Sequence, residues 1–404
     1  MKKDWEYKSL NDLCSIVGRI GFRGYTKEDL VSNPDDGAIT LSPSNIVDGE
    51  LVFSKCSYIN WEKYEESPEI MLKSGDVVLV KTASIGKCAV VRNLPHKATL
   101  NPQFVVLKDL KVNPEFITYY LKTPSTQSQI VKMAGGVAIP TLSQKKLGTL
   151  NIPVPPLSEQ KEIVEYIDSS FAKIDKLKEN AAKNLEEAKA LFLSALKDAL
   201  EPKEGWEEKT LKELSEIQSG YAFKSSDFKS SGKYQVIRMG NVRPGVIRYN
   251  ESPVFINEEL DEKAKEKALL QIGDMIITQT GSRNKRDYGF TVLIEKDNLL
   301  LNQRIARIRV KDKLLNKYLL YYSWTDYFRD QYFANEGGTV GQGNVGMDAI
   351  KDNIIPLPSL PEQQSIVSFL DSLSEKVSTL QQNYSRICDE CDALKQAILR
   401  QVFE

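Results

Sequence analysis

The chain has 404 residues, 41% of them hydrophobic and 27% charged, with 54 Lys and Arg against 55 Asp and Glu. That length calls for two domains rather than one core, and the near-zero net charge excludes a uniformly basic surface, so any nucleic-acid contact must come from local patches. No apolar run approaches the roughly 20 residues of a membrane span, and "MKKDWEYKSL" has no apolar stretch after its lysines, so the expected location is the cytoplasm.

From the N-terminus, "WEYKSLNDL" at Trp5 leads into short β-branched runs such as "DVVLV" from Asp76 and "QFVVL" from Gln103. Gly, Asn, Pro and Asp turns separate these runs, and a helical patch, "PEFITYYLKT", follows from Pro114. The pattern predicts a mixed α+β globule over 1–155. Prolines 153, 155 and 156 then hold the chain extended. Beyond them, apolar residues recur at steps of three and four, from Ile163, Ile167, Phe171, Ile174 and Leu177 through Leu185 to Ala195. This predicts a long helix over 156–201 with a heptad seam. "EPKEGW" ends it.

A second globule is expected over 202–358, with runs "DMIIT" and "RIARIRV" and a helical patch "NKYLLYYSWTDYF". A second long helix is expected over 359–404, its seam running from Ile366, Leu370, Leu373, Val377 and Leu380 through Tyr384, Ile387, Cys391 and Leu394 to Ile398. The two halves repeat. "IPVPPLSEQKEIVEYID" from Ile152 returns as "IPLPSLPEQQSIVSFLD" from Ile355, "WEYKSLNDL" returns as "WEEKTLKEL" from Trp206, and "LNPQFVVL" returns as "LNQRIARI" from Leu301. A lone helix of such length gains little in water without a partner for its apolar stripe. The two long helices are therefore expected to pack antiparallel, as an internal ruler bounded by about 60 Å for forty residues. Two modules reading one face of B-DNA sit about 34 to 36 Å apart, within that bound.

Five scattered cysteines do not form a disulfide framework. Cys388 and Cys391 make one C-x-x-C pair without a second, and Cys391 lies in the heptad seam, which favours a core residue over a metal ligand. With one histidine, His96, neither a histidine triad nor a histidine metal cluster can be assembled. "NPQF" at 101–104 lacks the second proline of the adenine-methyltransferase motif, and "SIGKC" at 84–88 lacks residues a phosphate loop needs. No catalytic residue is assigned.

Two tandem globules, each followed by "PxPxLxEQxxIVxxxD" leading into a long heptad helix, closely resemble the specificity subunit of Type I restriction-modification enzymes. The resemblance covers essentially the whole chain. It implies an α+β fold of two target recognition domains separated by two long antiparallel helices, with a pseudo-two-fold internal repeat. It also implies that each globule reads one half of a split double-stranded DNA target, and that the helices dock two adenine-N6 methyltransferase subunits. A motor and nuclease subunit would join for cleavage. S-adenosylmethionine and ATP with Mg are implied for those partners, and no cofactor for this chain.

Side chains that reach base edges are chiefly Arg, Lys, Asn and Gln, while Ser and Thr hold phosphates. On loops carried by a rigid sheet, the first half offers Arg19, Arg23, Ser44, Asn45, Lys81, Thr82, Ser84 and Lys87. The second offers Tyr221, Lys224, Arg238, Asn241, Gln279, Thr280, Ser282, Arg283, Lys285 and Arg286. Glycine-rich stretches at 135–141 and 337–344 could bring backbone amides close to phosphate. The framework blocks repeat while these loop residues differ, so the two half-sites are expected to differ as well. Glu159, Gln160 and Ile163, with their twins Glu362, Gln363 and Ile366, recur at both helix starts. A two-fold scaffold holding two identical partners requires such duplicated surfaces, although a first-turn Glu also suits the helix dipole by itself. Two rival readings are a tandem scaffold that binds protein rather than DNA, and a cryptic DNA methyltransferase or nuclease.

Overall fold

The computed structural model describes residues 5–136, 139–257 and 261–404, all with side chains except Phe22. It divides into two units. The first comprises the described residues up to Ala182 together with Tyr384–Glu404, and the second comprises Lys183–Asn383.

In the first unit, Phe104–Lys108 lies antiparallel between Ser15–Val17 and Val77–Val80, and Cys88–Val90 completes the sheet. A second four-stranded sheet sets Ala98–Leu100 parallel to Gly37–Leu41, followed by Ser57–Asn60 and Leu30–Val31. Successive side chains of a strand point to opposite faces. Val77, Leu79, Val105 and Leu107 therefore enter one core with the helix Pro114–Leu121, while Val78, Val80, Phe104 and Val106 enter the core between the sheets. Both faces are covered, which explains why these runs are apolar throughout rather than alternating.

The second unit repeats the plan. Ile305–Val310 lies between Ser215–Ser219 and Met275–Thr278, with Thr291–Leu293 beyond, and Leu299–Leu301 runs parallel to Tyr234–Ile237. Met275, Ile277, Ala306 and Ile308 face one core, and Ile276, Val292 and Ile305 the other. In each unit the first and last strands of the globule pair with each other, Glu6–Ser9 with Asn151–Val154 and Glu207–Thr210 with Ile354–Leu357. Pro153 and Pro356 sit in these two-stranded edges, where a missing N–H is tolerated.

The two long helices run Leu157–Leu200 and Leu360–Phe403, 44 residues each. Within the first unit their segments pack antiparallel: Asp175 meets Lys395 at 2.6 Å and Lys178 meets Asp392 at 2.9 Å, one number rising as the other falls. Cys391 is buried there, its Sγ 3.9 Å from the Ile174 carbonyl. Phe403 stands edge-on to Phe116 and Tyr120. Within the second unit, Leu196 and Leu200 share a core with Ile366, Val367 and Leu370.

The seam is narrower than the three-four spacing suggests. Leu177 is 58% exposed, Leu380 38% and Leu394 48%. One partner helix covers one stripe, and a straight helix rotates about 20° per heptad away from it. No described helix is long and apolar enough to cross a membrane. No described cluster of His, Cys, Asp and Glu could hold a metal ion.

Candidate nucleic-acid interface

The recurring Glu-Gln pair is a latch inside each unit. The Glu159 carboxylate accepts from Trp5 Nε1 at 3.2 Å, and Gln160 accepts from the Asn113 amide at 2.8 Å while donating to the Pro155 carbonyl at 2.8 Å. Glu362 accepts from Trp206 Nε1 at 3.2 Å, and Gln363 accepts from the Leu315 amide at 2.9 Å while donating to Pro358 at 2.9 Å. Gln160, Gln363, Ile163 and Ile366 are all buried. The structure thus places these six side chains inside or against their own unit rather than on a surface open to a partner. Their recurrence follows from each globule having to grip its helix start. The motif's final Asp serves the same end: Asp168 accepts from Tyr119 Oη, and Asp371 from Tyr321 Oη at 2.7 Å.

Arg19 is also internal. It is 5% exposed, donates to Leu100 and Arg23 carbonyls at 3.2 and 3.3 Å, and lies over the Tyr25 ring. Burial lowers its pKa from the ordinary arginine value. Arg23 forms a half-buried ion pair with Glu69 at 3.5 Å. These positions brace the loop, which the composition of the loop alone does not reveal.

Two short turns occupy equivalent places. In the first unit Asn45 accepts from the Ser42 amide at 2.9 Å and donates to the Val52 carbonyl at 3.1 Å. In the second, Asn241 accepts from the Arg238 amide at 3.0 Å and donates to Glu251 and Arg248 carbonyls at 2.7 and 3.3 Å. Both asparagines are 3% exposed. They shape the turn, and the residue each turn presents differs: Ser42 and exposed Ser44 in one, Arg238 in the other.

The loops after the second core strand diverge more. In the first unit Lys81 and Thr82 are half-buried and Ser84 and Lys87 exposed, and among the described residues Thr141 makes isolated bridges to Thr82 and Gly135. Burial lowers the pKa of the Lys81 ammonium. Residues 137–138 of that glycine-rich stretch lie outside the described residues. In the second unit Thr280–Ser282, Gln342–Asn344 and Gly337–Thr339 form a three-stranded sheet. Gly343 is forced there, because a Cβ would lie 2.0 Å from Tyr288 Oη. Thr280 is buried within this sheet and Gln279 just before it, Gln279 donating to the Val345 carbonyl at 3.2 Å. Arg283 donates to the Gly337 carbonyl at 2.9 Å and pairs with Glu336 at 3.3 Å, while the Ser282 amide donates to Asp287 at 2.6 Å. Lys285 and Arg286 are exposed, as is Lys224. Arg286 lies over the Phe333 ring, and Tyr221 meets Phe223 at a tilt of 58°.

The second unit also holds a feature that the loop residues alone did not point to. A cavity of about 440 Å³ is lined by Arg238, Asn241, Glu251, Asn302, Gln303 and Arg304 among others. On two of these lining residues a polar atom is buried without a hydrogen-bond partner, Arg238 Nε and Asn302 Oδ1. Arg304 has φ +65°, a conformation disfavoured for a side chain with a Cβ and one that concentrates at functional sites. It also lines a neighbouring cavity of about 270 Å³ with Thr280, Gln342 and Asn344. The equivalent Asn101 of the first unit has both polar atoms engaged, its Nδ2 with Gln103 Oε1 at 3.1 Å and its Oδ1 with the Gln103 amide at 2.9 Å. The readable signal was the change from "LNPQ" to "LNQR" inside an otherwise repeating block.

A second surface recurs. Tyr166 and Leu177 are 42% and 58% exposed, with exposed Lys173 on the same helix face; Phe369, Lys376 and Leu380 stand 203 positions later, with Phe369 51% and Leu380 38% exposed. Steps of seven and eleven residues return to one side of a helix.

The sequence profile described as "Type I restriction modification DNA specificity domain" matches residues 2–187 and 203–387. The chain is 24% identical to the Type I restriction enzyme EcoKI specificity subunit of Escherichia coli K12, over 94% of this chain and 84% of that one. It is 26% identical to the Type I restriction enzyme MjaVIII specificity subunit of Methanocaldococcus jannaschii, over 93% and 87%. Among solved structures, the HsdS subunit of Thermoanaerobacter tengcongensis matches with TM-score 0.58 at 20% identity, over 99% and 96%. A chain from a study of complex assembly and conformational transition in the type I R-M system matches with TM-score 0.73 at 19% identity, over 99% and 97%.

Proposed function

The chain belongs to the family of Type I restriction-modification DNA specificity subunits, and on that premise we propose that its two units read the two unlike halves of one split, asymmetric double-stranded DNA target. In this family the specificity subunit is non-catalytic and catalysis sits in partner subunits. The observation that supports two unlike half-sites is the pair of equivalent turns held by Asn45 and Asn241. Their backbones match, while one presents serines and the other Arg238 beside Arg304. Exposed Lys87, Lys224, Lys285 and Arg286 supply phosphate contacts, so affinity falls steeply with salt. The work is done in the cytoplasm, where host DNA lies.

The long helices dock two adenine-N6 methyltransferase subunits, and a motor and nuclease subunit joins for cleavage. S-adenosylmethionine and ATP with Mg belong to those partners. The docking surface is the strip Tyr166, Lys173, Leu177 and its twin Phe369, Lys376, Leu380, because identical partners require duplicated surfaces and these residues are exposed where Gln160 and Gln363 are not. Long-read adenine-methylation mapping of the host, with and without this gene, tests the reading. The expected result is one bipartite motif with two different half-sites that vanishes with the gene. A motif that persists without the gene would refute it. For the docking strip, Tyr166→Glu and Phe369→Glu are each expected to lower co-purification of the methyltransferase subunit, and unchanged recovery would remove the strip.

A further inference from the structure

We propose that the Arg238–Arg304 cavity of the second unit takes the major-groove edge of a G·C base pair, which makes Arg238 a specificity-determining residue for one position of that unit's half-site. The inference rests on the DNA-reading function proposed above and narrows it to one pocket and one kind of base pair.

The lining carries both hydrogen-bonding signs. Arg238 and Arg304 are residues that supply donors, and Asn302 and Glu251 are residues that supply acceptors. A G·C pair displays guanine N7 and O6 as acceptors beside the cytosine N4 donor, and arginine to guanine with an acceptor to cytosine N4 are the matching contacts. Arg238 is held for this. Its Nη2 donates to the Ser252 carbonyl at 2.6 Å and its amide is fixed by Asn241, while its Nε is buried with no partner. An unpaired buried donor and an unpaired buried acceptor on one cavity are each costly in the free protein. Neither atom is open to solvent, so both side chains turn toward the cavity to meet a ligand, and a base edge that satisfies both relieves that cost.

A phosphate is the other ligand that arginines attract, and the lining argues against it. Glu251 is among the lining residues, with its oxygens 3.2 Å from Arg248 and 4.0 Å from Arg243. A carboxylate repels a phosphate but accepts from a neutral base edge. Asn302 Oδ1, an acceptor, also has nothing to receive from a phosphate. The lining chemistry is not repeated in the first unit, where Ser42 stands in place of Arg238, Pro102 and Gln103 replace Gln303 and Arg304, and Asn101 is already engaged.

The test uses the full chain in its host, with the gene replaced by Arg238→Ala, Arg238→Lys or Asn302→Leu, and long-read methylation mapping as the readout. The expected result is that both arginine variants relax one G·C position in one half-site, with about a tenfold loss of discrimination there, and that Asn302→Leu relaxes the same position. The other half-site should be unchanged, and methylation at the relaxed sites reports that the chain still folds. A motif unaltered in all three variants would overturn the assignment. So would a uniform drop at every site in Arg238→Ala that Arg238→Lys restores, which marks a phosphate contact. Complete loss of methylation in all three would also overturn it, because the cavity then serves only the loop's own structure. Absence of any gene-dependent motif in the wild type would instead defeat the DNA-reading function itself.

Discussion

The two units are built on one frame and finished differently, and the contrast separates what holds the frame from what reads. Where backbone is tied to backbone by a buried side chain, the units agree: Gln160 and Gln363, and Asn45 and Asn241, make equivalent bonds, and the less buried Asp168 and Asp371 each hold a tyrosine hydroxyl. At the edges the second unit is, among the described residues, more elaborate, with a further three-stranded sheet and a cavity lined by two arginines. Duplication keeps the residues whose loss would strand a buried donor or acceptor, and it leaves the solvated rim free to differ.

The largest difference in stability between twins is expected at their ion pairs. Each carboxylate accepts from a backbone amide three residues before it, but Asp274, 2% exposed in its side chain, receives Arg309 through two bonds of 2.7 and 2.8 Å, whereas the cation on Asp76 is Lys108, through one bond of 3.1 Å. Arg309→Ala is expected to cost about 3 to 5 kcal/mol in urea denaturation, since it leaves a buried carboxylate unpaired. Lys108→Ala should cost about 1 to 2 kcal/mol. Equal losses would mean that the fork geometry contributes nothing.

Next come the latches. Gln363→Leu strands the Leu315 amide and the Pro358 and Lys313 carbonyls, and Gln160→Leu strands the Asn113 amide and the Pro155 carbonyl. Each is expected to cost about 2 to 3 kcal/mol, with the second-unit variant the more damaging. A loss below 0.5 kcal/mol, about the noise of such comparisons, would show that water reaches the stranded groups and the latch is not a sealed one.

The smallest effect concerns acid. Bonds from the Ser9 hydroxyl hold Asp12 below the usual carboxylate range, and bonds from the Thr210 hydroxyl do the same for Glu213. A depressed folded pKa gives stability that is present above the unfolded pKa and lost as pH falls through the folded one. Thermal melting should therefore drop as pH falls from about 4, and Asp12→Asn or Glu213→Gln should flatten that drop alike. A steeper drop in either variant would reverse the assigned sign.

Much of this was legible in the chain itself. The half-length repeat, the β-branched runs and the proline-led helices located both globules and both helices, because period-two and period-3.6 patterns are local consequences of burial. The same reading set Gln160, Gln363, Ile163 and Ile366 on a partner surface, and the structure buries them. Recurrence marks a residue that matters without saying whether it faces inward or outward. It also extended the heptad seam through Leu177 and Leu380, which are exposed. A spacing rule gives a helix face, and only the neighbour decides how much of that face is covered. Among the loop residues, Arg19, Asn45, Asn241, Gln279 and Thr280 proved internal. A polar side chain in a loop can satisfy the loop's own backbone, and that depends on geometry that composition does not encode.

By itself, the sequence determined the duplicated α+β architecture, the long helices and the family, since each rests on local periodicity and on motifs repeated at a fixed offset. Tertiary structure alone decided that Arg238, Asn302 and Arg304 share a cavity and that Asn101 closes its own acceptor while Asn302 does not. Residues some sixty positions apart meet there because parallel pairing of Leu299–Leu301 with Tyr234–Ile237 carries them to one edge, and such long-range pairing leaves no periodic trace in the chain.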